Sequence, residues 1–125
     1  MTKNVLVVDD SLLMRKIISE TLSQAGWNVV AEAADGQQAV VEYRRLRPSA
    51  VTLDIVMPGT NGIQALQEIL LIDPQAKVVV VSALNQTKLI SEAIRKGAQD
   101  FIAKPFLPEQ LLQTMQGCVD SSTAV

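Results

Sequence analysis

The sequence predicts a three-layer α/β/α sandwich, five successive β-α units built on one parallel sheet. Short β-branched runs alternate five times with longer amphipathic stretches. The runs lack polar alternation, the pattern of strands buried on both faces. The links between them are short, with no linker, repeat or low-complexity tract. A chain of 125 residues, 48% hydrophobic, suits a single domain over 1–125 with a substantial core.

Each element has its own signal. "NVLVV", from Asn4, is the first strand, and "SLLMRKIISETLSQAG" the first helix. Ser11 is its expected N-cap, Leu13, Ile17 and Leu22 its apolar side, and Gly26 its stop. "WNVVAEA" reads as the second strand, and "DGQQAVVEYRRLRP" as a helix ended by Pro48. "AVTLDIV" is the third strand, "MPGTNG" a loop by its Pro, Gly and Asn content, and "GIQALQEILLID" a helix closed by Pro74. "AKVVVVSAL" is the fourth strand, followed by the helix "NQTKLISEAIRKG" with Asn85 as cap and Gly97 as stop. "AQDFIAK" is the fifth strand, and "PEQLLQTMQGCV" the last helix, with Pro108 in its first turn.

Composition narrows the function. The net charge is −2 and no basic block occurs, so nucleic acid and anionic membranes are not expected as direct partners. The N-terminal apolar run is too short for a signal peptide, and a run such as "VVVV" (Val78–Val81) falls far below the ~20 residues of a membrane span. A soluble, cytoplasmic protein is expected. The single cysteine, Cys118, permits no intrachain disulfide and fits a reducing compartment; it is expected as a small apolar residue late in the last helix. With no histidine, His-ligated zinc, copper and haem sites are excluded, as is every triad with a His base.

The informative feature is where the polar residues sit. The first strand ends in Asp9 and Asp10, the third in Asp54, the fourth in Ser82 and the fifth in Lys104. Open α/β sheets bind ligands outside the carboxyl ends of their strands. Singly, each residue has an ordinary reading: Asp10 or Ser11 as a helix cap, Asp54 as a turn-former, Ser82 bonded to backbone, Lys104 in solvent. Together they place three carboxylates, a hydroxyl and an ammonium on one rim. Crowded carboxylates want a divalent cation, and an all-oxygen set suits Mg²⁺ or Mn²⁺. One carboxylate could then attack a phosphoryl group, with the metal, lysine and hydroxyl stabilising the transferred oxygens.

The motifs "VLVVDDS", "VTLDIVMPGTNG", "VVVVSAL" and "GAQDFIAKPF", in this order and spacing, cover the chain from Lys3 to about Val119. The chain thereby resembles the receiver domain of two-component response regulators, particularly the stand-alone, CheY-like chemotaxis type. The resemblance implies a flavodoxin-like fold with strand order 2-1-3-4-5. It makes Asp54 the phosphoacceptor, Asp10 a direct Mg²⁺ ligand, Asp9 a ligand through a bound water, and the Val56 carbonyl part of the metal shell. Lys104 would hold the phosphoryl group, the Lys104–Pro105 bond would be cis, and Ser82 and Phe101 would be the switch hydroxyl and switch aromatic. Phe101 departs from the commoner tyrosine, so it can pack inward without a phenol hydrogen bond. Val56 and Leu84 occupy positions that tune hydrolysis; both are apolar here, which implies slow self-dephosphorylation.

The family's readout face, formed by the fourth helix, fifth strand and fifth helix, would here include Lys88, Glu92, Arg95, Phe101 and Ile102. The implied partners are a sensor histidine kinase as phosphodonor and a separate output protein, and a monomer is expected. The chain would be no enzyme beyond its own aspartyl phosphorylation and dephosphorylation. Its end in "DSSTAV", soon after the last helix, carries no output domain, although a receiver cut from a larger transcriptional or enzymatic regulator would read alike. A P-loop NTPase is excluded by the missing G-x-x-x-x-G-K-[ST] loop. A capped phosphohydrolase lacks material for a substrate pocket, and a flavin binder is disfavoured by 3% aromatic content.

Overall fold

A computed structural model describes residues 3–57 and 60–120; Pro58 and Gly59 of the expected loop, and 121–125 of the tail, lie outside the described residues. In chain order the elements are β1 (Asn4–Val8), α1 (Leu12–Gln24), β2 (Asn28–Ala33), α2 (Gly36–Leu46), β3 (Ala50–Asp54), β4 (Val56–Met57), β5 (Thr60–Asn61), α3 (Gly62–Ile72), β6 (Val78–Ala83), α4 (Thr87–Arg95), β7 (Asp100–Lys104) and α5 (Pro108–Asp120). The main sheet runs β2-β1-β3-β6-β7, with every pairing parallel.

The sheet numbering departs from the expected 2-1-3-4-5 for one reason. The stretch read as strand end and loop holds a two-residue antiparallel ladder, Val56 opposite Asn61 and Met57 opposite Thr60. Counted without that ladder, the five long strands keep the 2-1-3-4-5 order.

The continuous apolar runs divide by the period of two that any strand imposes. Leu6, Val8, Val51, Leu53, Val78 and Val80 face one layer, where they pack with residues of α2, α3 and α4. Val5, Val7, Ala50, Val79 and Ile102 face the other, with Ile18 and Leu22 of α1 and Leu111, Met115, Cys118 and Val119 of α5. Cys118 is thus a buried core residue, its thiol pushed up to about 11 by burial. No helix among the described residues is long and apolar enough to cross a membrane.

Two local expectations are corrected. In α1 the inner face is Met14, Ile18 and Leu22, spaced i, i+4, i+8, while Leu13 and Ile17 are exposed. Both registers are apolar in the sequence, and the sheet selects the one below which Val5 and Val7 lie. In α4 the N-cap position falls on Gln86 and has no side-chain cap bond, so Asn85 is not the cap. The caps of α1, α2 and α3 are made by Ser11, Asp35 and Asn61, each accepting a backbone N–H of the first turn. Gly26 and Gly97 take positive φ (92° and 116°) beyond the ends of α1 and α4, and Arg47 takes φ 44° between α2 and Pro48.

Tyr43 is the largest fully buried side chain of α2, and its hydroxyl donates to Asp73 Oδ2 at 3.3 Å. Burial, reinforced by the Asp73 charge, pushes the phenol up to about 12. The folded state then holds a proton that the unfolded chain releases near pH 10, so stability is retained below pH 10. It falls by up to about 1.4 kcal/mol per pH unit as pH rises from there towards 12. Because the chain has one tyrosine, absorbance at the tyrosinate band should show ionisation near pH 12 or only on unfolding. Ionisation near pH 10 in the folded protein would contradict the burial argument.

Candidate acidic site

At the carboxyl end of the sheet, three strands deliver charges to one point. β1 is followed by Asp9, whose N–H continues the ladder by donating to the Ala33 carbonyl at 3.0 Å. β3 ends in Asp54, and β7 ends in Lys104. Asp9 and Asp54 are almost fully buried, at 1% and 5% exposure, whereas Asp10 is exposed. One carboxylate oxygen from each of Asp9, Asp10 and Asp54 lies within 4.8 Å of the others.

Such crowding repels, by roughly 3 kcal/mol per pair at an effective dielectric of about 20. The Lys104 ammonium offsets it, donating to Asp9 Oδ2 at 2.9 Å and to Asp54 Oδ2 at 3.2 Å. The remaining oxygens of these two acids are held by local turns. Asp9 Oδ1 accepts from the Ser11 N–H and Asp54 Oδ1 from the Val56 N–H, both at 2.9 Å. Asp10 makes no hydrogen bond to a described residue.

The electrostatics follow from burial and crowding. Burial raises the Asp54 carboxyl above its ordinary value, and Asp9 adds to the rise; the Val56 N–H and Lys104 pull it down without cancelling it. For Lys104, burial acts downward, yet its bond to Asp9 and the charges of Asp54 and Asp9 prevail, so its ammonium is held above the usual range. Lys104 is therefore a fixed cation at neutral pH. Three carboxylates against one ammonium leave the cluster negative, and every side-chain donor is oxygen, which fits Mg²⁺ or Mn²⁺.

Two further features hold Asp54 in place. Gly62 opens α3 so close to the chain following Asp54 that a Cβ there would stand 2.4 Å from Ile55 Cα and 2.9 Å from the Asp54 carbonyl oxygen. Only glycine admits this approach. Asp54 also pairs with Val81 in β6, so Ser82, the next residue, lies beside the site and is buried.

The other sequence-predicted residues surround this centre. The Lys104–Pro105 bond is cis. Val56 and Leu84 are exposed. Phe101 is 39% exposed and borders a groove of about 400 Å³ walled also by Leu84, Ile102, Pro105 and Gln113. Lys88 and Arg95 are exposed on α4, and Glu92 is half-buried. Ile102 corrects the expectation of a surface residue. As the strand neighbour of Phe101 it points to the opposite face, into the core beside Val79 and Leu111, with 4% exposure.

Arg15 is the residue that sequence reasoning missed. Its Nη1 donates to the Asp9 carbonyl at 2.6 Å and its Nε to Glu32 Oε1 of β2 at 3.2 Å. A signal existed: Arg15 stands one turn past the Ser11 cap, and helical side chains lean back towards the N-terminus, here towards Asp9.

Comparison with known proteins agrees with this geometry. Residues 5–116 match the family described as response regulator receiver domain. The chain is 46% identical over 115 residues to a chemotaxis protein CheY of Thermotoga maritima, covering 92% of this chain and 96% of that one. It is 50% identical over 111 residues to the protein CcdB of Bacillus subtilis, covering 89% and 92%. Among solved structures, the CheX–CheY–BeF3–Mg²⁺ complex of Borrelia burgdorferi matches with TM-score 0.87 and 37% identity over 98% of this chain and 90% of that one. A flavodoxin-like fold, the acid cluster at the ends of its strands and a family match over most of its length make this chain a CheY-like response regulator receiver domain.

Proposed function

We propose that this receiver accepts a phosphoryl group on Asp54 from a sensor histidine kinase and passes the signal to a separate output protein in a chemotaxis pathway. The observation that carries the reading is the convergence of Asp9, Asp10 and Asp54 on the Lys104 ammonium at the sheet's carboxyl rim. In the transfer, an Asp54 carboxylate oxygen forms the new O–P bond while the P–N bond of a phosphohistidine breaks, its electron pair leaving with the imidazole. Lys104, already a fixed cation, then shifts its attraction from the carboxylate to the phosphoryl oxygens. Ser82 supplies a hydroxyl to another of these oxygens.

Mg²⁺, or Mn²⁺ in its place, would be held by Asp10, Asp54 and the Val56 carbonyl, with Asp9 acting through a bound water; when bound, it neutralises charge developing on the phosphoryl group. The unequal roles of the acids fit their surroundings. Both Asp9 oxygens are engaged by protein donors, as are those of Asp54, while Asp10 is exposed and without a partner among the described residues and so is the acid freest to meet the ion directly. The Mg²⁺ named in the solved relative supports the same reading.

The output would arise from a two-state element biased by one added dianion. Ser82, moving towards the phosphoryl group, vacates space on the β6 side into which the half-exposed Phe101 ring turns, reshaping the groove it borders. Beyond its own phosphorylation and dephosphorylation the domain would catalyse nothing.

Incubation with Mg²⁺ and a small acyl-phosphate donor should add one phosphoryl mass to the protein, and Asp54→Asn should abolish it. Addition that survives in Asp54→Asn would overturn the assignment. Calorimetric titration with Mg²⁺ should find Asp10→Asn weaker by about tenfold or more, with a smaller loss in Asp9→Asn; equal losses would contradict the division of roles. Neither Val56 nor Leu84 can orient an attacking water, so the aspartyl phosphate should be long-lived. Leu84→Glu or Val56→Asn should shorten its lifetime several-fold, and unchanged decay in both would refute slow hydrolysis as the consequence of these side chains.

A further inference from the structure

Asp10 presents an unusual problem for a ligand. Its carboxylate is exposed and bonded to no described residue, so its direction must come from the backbone that carries it. That backbone is the Asp9–Asp10 peptide, and both sides of Asp9 are secured. Its N–H is tied to Ala33 and its side chain to Ser11 and Lys104. The remaining freedom is rotation of the peptide plane that follows, which carries the Asp9 carbonyl at one end and leads to Asp10 Cα at the other. The Asp9 carbonyl is the group that Arg15 grips, at 2.6 Å.

The grip is itself anchored. Arg15 keeps only 15% of its side chain exposed, and its Nε donates to Glu32 on the neighbouring strand. A guanidinium has donors fixed in a plane, so satisfying Glu32 with one nitrogen sets the direction of the other. The result is a chain of contacts from β2 through Arg15 to the peptide that aims Asp10.

We infer that Arg15 is a positioning residue for the divalent cation, fixing the Asp9–Asp10 peptide plane and with it the Asp10 carboxylate. The inference rests on the cation site proposed above. Its test turns on a sign. Arg15 is a cation bonded to the backbone of Asp9, a member of the acid cluster, so on charge alone its removal would leave the surroundings more negative and tighten Mg²⁺ binding. If it positions Asp10, removal loosens binding instead.

Mg²⁺ affinity should be measured by calorimetry, without phosphodonor, on the wild-type protein and on Arg15→Met and Arg15→Gln. Near-UV circular dichroism of the buried Trp27 and metal-free melting report whether each variant stays folded. The expected result is binding weaker by about tenfold, the lower range for loss of a group that orients a metal ligand, in variants whose dichroism is unchanged. Arg15→Lys, which keeps the charge but has a single point donor, should fall between these and the wild type. Neutral variants that bind Mg²⁺ as tightly as the wild type, or more tightly, overturn the positioning role while leaving the phosphoacceptor reading intact. Failure of the wild type to bind Mg²⁺ overturns both.

Discussion

One ammonium makes the acidic site possible. Asp9 and Asp54 come from strands whose side chains have no escape to solvent, and both are nearly buried. Without a cation between them the fold would have to leave one protonated or move it outward. Lys104 reaches both, and does so from the edge strand β7, 95 and 50 residues away in sequence. The sheet register is therefore part of the chemistry. Ala83 opposite Lys104 and Asp54 opposite Val81 set the heights at which the ammonium and carboxylates meet. A slip of one residue in β7 would send Lys104 to the other face.

Compensation is deliberately incomplete. Burial still holds the Asp54 carboxyl above its ordinary value despite Lys104 and the Val56 N–H. A group whose folded value is raised adds stability where it is protonated and loses it as pH rises through that range, so at neutral pH ionised Asp54 is a cost to the fold. The residual negative charge is what makes the cluster attractive to a cation. Full neutralisation by a second lysine would stabilise the apo fold and remove the reason to bind a metal.

The sequence made the strands, their burial and the acidic rim legible because each depends on local pattern. Period-two and period-3.6 signals place elements, and polar residues at the ends of apolar runs stand out against them. What it left open depended on contacts between elements. Leu13, Ile17 and Met14, Ile18 are equally apolar registers of α1, and only the sheet beneath decides between them. Ile102 and Phe101 are adjacent apolar residues whose opposite orientations follow from strand phase, which the string "DFIAK" does not state. The ladder joins Val56 and Met57 to Asn61 and Thr60, a pairing that the Pro, Gly and Asn content of the stretch does not disclose. Arg15 was less legible for a different reason: beside Glu32 its partner is a backbone carbonyl, which residue identity does not mark, so only its place one turn past Ser11 pointed to Asp9.

Constraint is unevenly distributed around the site. Around Asp54 the backbone is over-determined, by the Val56 N–H on its carboxylate and by Gly62 pressed against Ile55. On the far side of Ser82 the constraints thin out. Leu84 and Phe101 are exposed, α4 begins without a side-chain cap, and a groove of about 400 Å³ separates them from α5. A charge added at a rigid point can move only what is loosely held, so the response should flow towards β6, α4 and β7 and away from α3. In that direction the Phe101 ring, 39% exposed, would gain burial by turning inward, and its missing hydroxyl removes the penalty of burying a phenol without a partner. Under the proposed switch, an inward Phe101 would be held by packing alone, and the space left beside Ser82 would decide how well it fits.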